Sequence, residues 1–175
     1  VVKPSSATGF LTEVVVKDII ASGILPEGAL QLISGSARSL IDSVGSSDVV
    51  TFTGSASTGL MLKSNPVIAR ENVMFNLEAD SLNATILGEK ASPDTAEFEL
   101  FIKETVKEIT VKAGQKCTAV RRIIVPENLI DEVQQAISAR LASVKIGDPA
   151  SEGVRMGALA THAQVDAVKE SVNQL

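Results

Sequence analysis

DVVTFTGSASTG, residues 48–59, reads as a strand, Asp48–Thr53, that runs directly into the small residues Gly54-Ser55-Ala56-Ser57-Thr58-Gly59 and then into a helical stretch. A strand that turns sharply on glycine into a helix is the repeating joint of α/β folds, and small residues there let backbone approach a ligand closely. The same turn more often serves tight packing or a positive φ alone, so these residues by themselves read first as a structural turn and only second as a phosphate site. On the N-terminal side, Thr8–Ser22 carries apolar residues at helical spacing with Gly23 as a stop signal. Ala29–Ser34 is a short β-type run, and Ala37–Val44 has Leu40, Ile41 and Val44 on one helical face. Val1-Val2-Lys3-Pro4 reads as a strand with nothing before it, so both ends are expected to be cuts through a larger fold.

On the C-terminal side, Asn72–Leu77 and Asn83–Leu87 are strand-like, and Pro93–Lys112 is a long amphipathic helix with Pro93 and Asp94 at its start. Arg122–Val125 reads as a strand stopped by Pro126. Asn128–Val144 is a helix with a stripe of Leu129, Val133, Ala136, Ile137 and Leu141, and Ala163–Leu175 is a last helical run. Alternating strands and helices predict an α/β fold with a mostly parallel sheet and flanking helices.

Composition narrows the function classes. With 45% hydrophobic residues in 175 the chain can bury a real core. Sixteen basic residues against 21 acidic ones give a net charge of −5, and the basic ones are scattered, so no footprint for nucleic acid is present. The absence of Trp and Tyr removes stacking platforms for single strands. No apolar run approaches the ~20 residues that span a bilayer, and no signal-peptide layout opens the chain. A cytoplasmic protein is expected, with neither nucleic acid nor membrane as partner. One cysteine excludes an intramolecular disulfide, and one histidine leaves no metal-ligand cluster.

That cysteine, Cys117, lies in KAGQKCTAVRR between a Gly-Gln turn and two arginines. A lone cysteine is either an inert filler or a nucleophile. Glu78, at the end of an apolar strand, is either a solvent-reaching carboxylate or a general base. His162 reads as a solvated residue at a helix start.

Taken in order, Lys3-Pro4-Ser5, Leu25-Pro26-Glu27-Gly28, Phe52-Thr53-Gly54-Ser55 with Thr58-Gly59, Glu78 and Gly114-Gln115-Lys116-Cys117-Thr118-Ala119 resemble the NAD(P)-dependent aldehyde dehydrogenase superfamily. A narrower resemblance, to its phenylacetate-degradation branch, is carried by Phe75–Asn83, Ala113–Pro126 and Gly147–Leu159. The chain departs from most members where Ala79-Asp80-Ser81-Leu82 replaces Leu-Gly-Gly-Lys after the glutamate, and in the longer spacing from Glu78 to Cys117. Both departures look like marks of that branch.

The resemblance implies an aldehyde-dehydrogenase-like fragment. Residues 1–78 would be part of a Rossmann-like NAD(P)-binding domain, and residues 79–175 the start of the cysteine-bearing catalytic domain. It implies Cys117 as nucleophile and Glu78 as the base that activates the deacylating water, a role that burial would favour by raising its pKa. Lys3, Ser5 and Ser6 would meet the adenosine ribose, Gly35 and Ser36 would flank the adenine-side turn, Gly54 and Ser55 would meet the pyrophosphate, and Phe52, Thr53, Thr58 and Gly59 would be further cofactor-binding positions. Ser6 stands where NAD-preferring members often carry a glutamate, so NADP is expected, with NAD as the alternative. The substrate implied is an aldehyde, CoA-linked in the narrower resemblance, and the full-length enzyme would be a homo-oligomer. The oxyanion asparagine and the later Glu-x-x-Phe-Gly-Pro-type segment would lie outside this chain, so the fragment alone is expected to be inactive. A CoA-acylating dehydrogenase, a non-catalytic nucleotide-binding domain and a CoA-thioester hydrolase are the rival readings.

Overall fold

Strand β1, Val49–Gly54, pairs in parallel with β2, Met74–Ala79, in a register that sets Val50 beside Phe75, Phe52 beside Leu77 and Thr53 beside Glu78. Residues alternate between the two faces of a strand. Val50, Phe52, Phe75 and Leu77 therefore make one half-buried face, and Thr51, Thr53, Asn76 and Glu78 an exposed one. The computed structural model from which this is read describes residues 1–36 and 38–175. Two units divide the chain, Val1–Asp80 and Ser81–Leu175. Strand β2, which continues to Ala79, thus lies wholly within the first unit with its partner strand.

In the first unit, helix α1, Gly9–Ala21, precedes a 3₁₀ turn at Arg38–Ser43, and α2, Ala56–Lys63, and α3, Pro66–Arg70, connect β1 to β2. A parallel pair needs such a crossover, since the chain must return to the starting edge. Ile41, Ile68 and Val73 form the buried core here, with Val44, Val50, Leu62 and Phe75 against it. The strands expected at Val1–Pro4 and Ala29–Ser34 shrink to one parallel bridge, Val2 to Leu32. The helix expected over Ala37–Val44 is the short 3₁₀ turn, and its first residue, Ala37, lies outside the described residues.

Strand β3, Ala84–Ile86, and β4, Arg122–Ile124, form the parallel pair of the second unit. Between them runs α4, Ala96–Thr110, and after them come α5, Ile130–Ala142, and α6, His162–Asn173. Parallel pairing is as expected, and among the described residues each unit holds one two-stranded parallel sheet. Helix α4 starts three residues later than Pro93 because the Thr95 side chain caps it, accepting from the Phe98 N–H at 3.3 Å. Its buried residues Phe98, Ile102, Thr105 and Val106 recur at helical spacing, and Phe98, Ile102 and Val106 pack with Leu87, Leu129, Val133 and Ile137. Ala136 and Leu141 of the expected stripe join the same core. Among the described residues, no helix is long and apolar enough to cross a membrane.

Ile102 has no exposed surface at all and sits in the middle of this core. Ile102→Ala is expected to lower stability by about 2–5 kcal/mol, read from the urea midpoint at constant slope. A loss under about 1 kcal/mol would mean that the core between α4 and α5 does not hold the second unit.

Candidate active site

Gly54 and Glu78 both stand at the carboxyl ends of parallel neighbours, the edge at which open α/β sheets bind ligands. Ser55 turns the chain from β1 into α2 with extended backbone and caps the helix, its Oγ accepting from the Thr58 N–H at 3.3 Å and donating to Thr58 Oγ1 at 3.0 Å. The Ala56 and Ser57 N–H groups have no acceptor among the described residues. Two unpaired donors at the positive end of a helix, with Ser57 exposed, suit an anionic phosphate.

The two glycines of this turn have an internal reason to be glycine. A Cβ on Gly54 would lie 2.6 Å from the tip of the Phe52 ring, and one on buried Gly59 would lie 2.2 Å from Leu77 Cδ1 and 3.2 Å from the same ring. Phe52 fills the angle between strand and helix, and its neighbours must lack side chains. Neither glycine has a positive φ. Gly59 thus packs helix against strand, while Thr53, Gly54, Ser55, Ser57 and Thr58 on the rim of the turn are exposed.

Lys3, Ser5 and Ser6 are exposed and follow the Val2 end of the parallel bridge, while exposed Gly35 and Ser36 follow its Leu32 end. Gly35 has φ +92°, a turn conformation open to glycine without strain. Ser5 is engaged locally, its Oγ accepting from the Ala7 N–H at 3.4 Å and its carbonyl from the Thr8 N–H at 3.1 Å. Glu78 is exposed on the face of β2 away from Phe75 and Leu77, so the burial expected of a general base is not provided within its unit.

In the second unit the chain leaves α4 by an unusual route. The helix expected to run to Lys112 ends at Thr110, and Lys112, Ala113 and Gly114 follow with φ of 54°, 54° and 71°. Two non-glycine residues in the left-handed region cost about 1–2 kcal/mol each. They bring the chain to a tight turn over Lys116–Ala119, closed by the Ala119 N–H donating to the Lys116 carbonyl at 3.2 Å, with Cys117 exposed at its first corner.

Three side chains fix that turn from outside. Asn83 Nδ2 donates to the Cys117 carbonyl at 2.6 Å and to the Ala119 carbonyl at 3.2 Å. Gln115 Oε1 accepts from the Ala160 N–H at 2.9 Å. Arg121 Nη2 donates to the Gly114 carbonyl at 3.2 Å. Lys116 Nζ lies 2.7 Å from Glu108 Oε2, a half-buried ion pair without hydrogen-bond alignment. Of the cations near Cys117 in sequence, Lys116 is thus paired with a carboxylate, and Arg121 hydrogen-bonds a neutral carbonyl. The sequence motif marks Gln115 and Cys117 but not the role of Asn83, which sequence reads as the first residue of a strand.

The sequence profile of the aldehyde dehydrogenase family matches residues 1–175, the whole chain. The chain belongs to the aldehyde dehydrogenase family. It is 46% identical over 173 residues to a 3,4-dehydroadipyl-CoA semialdehyde dehydrogenase of Aromatoleum evansii, covering 99% of this chain and 34% of that one. It is 28% identical over 177 residues to the mitochondrial succinate-semialdehyde dehydrogenase of Arabidopsis thaliana, covering 98% and 32%. Among solved structures, betaine aldehyde dehydrogenase of Staphylococcus aureus in complex with NAD+ superposes with a TM-score of 0.84 at 26% identity, covering 98% of this chain and 33% of that one. The chain thus spans about a third of the length of the dehydrogenases it matches, and the α/β fold is that of the family.

A Cβ on Gly114 would come within 3.1 Å of the Ile109 carbonyl, in a left-handed conformation that disfavours any side chain. Gly114→Ala is expected to cost at least about 1–2 kcal/mol, read from the urea midpoint. A neutral result would mean that the left-handed exit from α4 is not the conformation the chain holds.

Proposed function

We propose that the protein carrying this chain oxidises an aldehyde to a carboxylic acid with a nicotinamide cofactor and a covalent Cys117 intermediate. The observation that supports this most is the Cys117 turn. An exposed thiol sits at a corner whose carbonyls are tied down, and no acceptor among the described residues takes the Cys117 N–H.

In this reading the Cys117 thiolate adds to the aldehyde carbon, a C–S bond forms, and the carbonyl oxygen becomes an oxyanion that the Cys117 N–H can stabilise. A nicotinamide cofactor, when bound, supplies the acceptor for the hydride that this adduct loses on becoming a thioester. Glu78 then takes a proton from water, the hydroxide adds to the thioester carbon, and the C–S bond breaks to release acid and thiolate. The α2 N-terminus with Gly54 and Ser55 would hold the cofactor's phosphates, and Lys3, Ser5, Ser6, Gly35 and Ser36 its adenosine end. The unpaired N–H groups of half-buried Ala56 and exposed Ser57 fit that assignment.

The likeness to a CoA-semialdehyde dehydrogenase supports a CoA-linked semialdehyde as substrate. Presence of Glu78 favours water over CoA as the acyl acceptor. NADP is the proposed cofactor: Ser6 puts no carboxylate beside a 2′-phosphate, and Lys3 on the same exposed segment supplies a positive charge.

In the full-length protein, Cys117→Ser is expected to lower kcat by roughly 10⁴-fold or more. Glu78→Gln should lower steady-state kcat by about 10²–10⁴-fold while leaving a single-turnover burst of reduced cofactor. If Cys117→Ser keeps its turnover, the covalent reading is wrong; if Glu78→Gln keeps its steady-state rate, another group deacylates.

Cofactor choice has its own measurement. kcat/KM with NADP should exceed that with NAD, and Ser6→Glu should cut the NADP value by roughly 10²-fold through like-charge repulsion while sparing NAD. Equal efficiencies in the unmodified protein would overturn the assignment.

A further inference from the structure

The Cys117 peptide planes are fixed by two different devices. The plane before Cys117 is held by the turn itself, through the Ala119 N–H on the Lys116 carbonyl at 3.2 Å. Among the described residues, the plane after it is held only by Asn83, whose Nδ2 reaches the Cys117 carbonyl at 2.6 Å. With both planes fixed, the φ and ψ of Cys117 are fixed, and with them the directions of its N–H and of its Cα–Cβ bond. A one-ångström error in a reacting atom can cost about 10²-fold in rate, so the orientation of this residue matters to the chemistry.

We propose that Asn83 is a positioning residue for Cys117, its side-chain amide aiming both the thiol and the backbone N–H toward one reacting carbonyl. This rests on the reading of Cys117 as nucleophile. Only a primary amide or a similar double donor fits the place. Both partners are carbonyl oxygens, Cys117 and Ala119, and the NH₂ has one hydrogen for each. A carboxylate there would oppose two acceptors at once, and an alanine would leave both without the amide.

The backbone of Asn83 does a separate job. Its carbonyl accepts from the Arg121 and Arg122 N–H groups at 2.8 and 3.1 Å, extending the pairing of β3 with β4. That bond survives any substitution of the side chain, so side-chain variants isolate the positioning contacts from the strand pairing.

The experiment compares the full-length protein with its N83D and N83A forms by three readouts: kcat and KM for aldehyde and cofactor, the pH profile of iodoacetamide alkylation, and the melting midpoint. The expected result is a fall in kcat of about 10²-fold in both variants with the cofactor KM unchanged. In N83D the alkylation profile should also move to higher pH, because the added carboxylate disfavours a thiolate. If both variants keep kcat and the alkylation profile and lose only melting temperature, Asn83 is structural and the proposal is overturned. Should N83D fail to fold, the kcat and cofactor KM of N83A decide in the same way. Cys117→Ser separates the two layers. If it leaves turnover intact, the nucleophile reading falls and the proposal with it; if it abolishes turnover while the Asn83 variants keep theirs, only the proposal falls.

Discussion

Parallel pairing of β1 with β2 is the constraint from which the candidate cofactor edge follows. Two neighbours that run the same way end at the same edge, so the loop after β1, the N-terminus of the next helix and the last residues of β2 are delivered together. The register makes this concrete, setting Thr53 beside Glu78 and Gly54 beside Ala79. A helix that begins there points its unpaired N–H groups and its positive end the same way. The price is a tight angle between strand and helix. The Phe52 ring fills it, and Gly54 and Gly59 make room for the ring.

How much of this was legible in the sequence depended on whether the signal was local. The strand-to-glycine turn at 48–59, the helices other than the one expected over Ala37–Val44, the core stripe of α5 and the position of Cys117 after α4 all rest on nearby residues, and the structure shows them with ends displaced by a few positions. The displaced ends have local causes too. The Thr95 hydroxyl caps α4 ahead of any claim by Pro93, and α4 stops where the chain turns left-handed. The strands expected at the N-terminus failed for another reason. A strand is defined by its partner, and Val2 and Leu32 share only a single bridge.

Asn83 was illegible for the same reason on a longer scale. In sequence it reads as the first residue of a strand, and nothing in its own neighbourhood says that its amide will meet a carbonyl 34 positions later in the chain. The stretches Phe75–Asn83 and Ala113–Pro126 were marked only by likeness to one branch of the family, and the second unit explains part of that likeness physically. Asn83 ends the first stretch, Gln115, Cys117 and Ala119 belong to the second, and Ala160 follows directly on Gly147–Leu159; all are joined by hydrogen bonds around the cysteine turn.

The energetics of that turn show why its parts belong together. Left-handed backbone at Lys112 and Ala113 costs about 2–4 kcal/mol in total. Against it stand the Gln115 bond to Ala160, the Arg121 bond to Gly114 and the Asn83 bonds to Cys117 and Ala119, each worth a net 0.5–1.5 kcal/mol or so. The two sums are of similar size, so no single bond secures the turn and the loss of one weakens the case for the rest. A segment balanced in this way keeps an exposed thiol in a defined orientation only while every tether is present. That makes the geometry of Cys117 a property of residues spread from Asn83 to Ala160, although the chemistry assigned to it belongs to one sulfur atom.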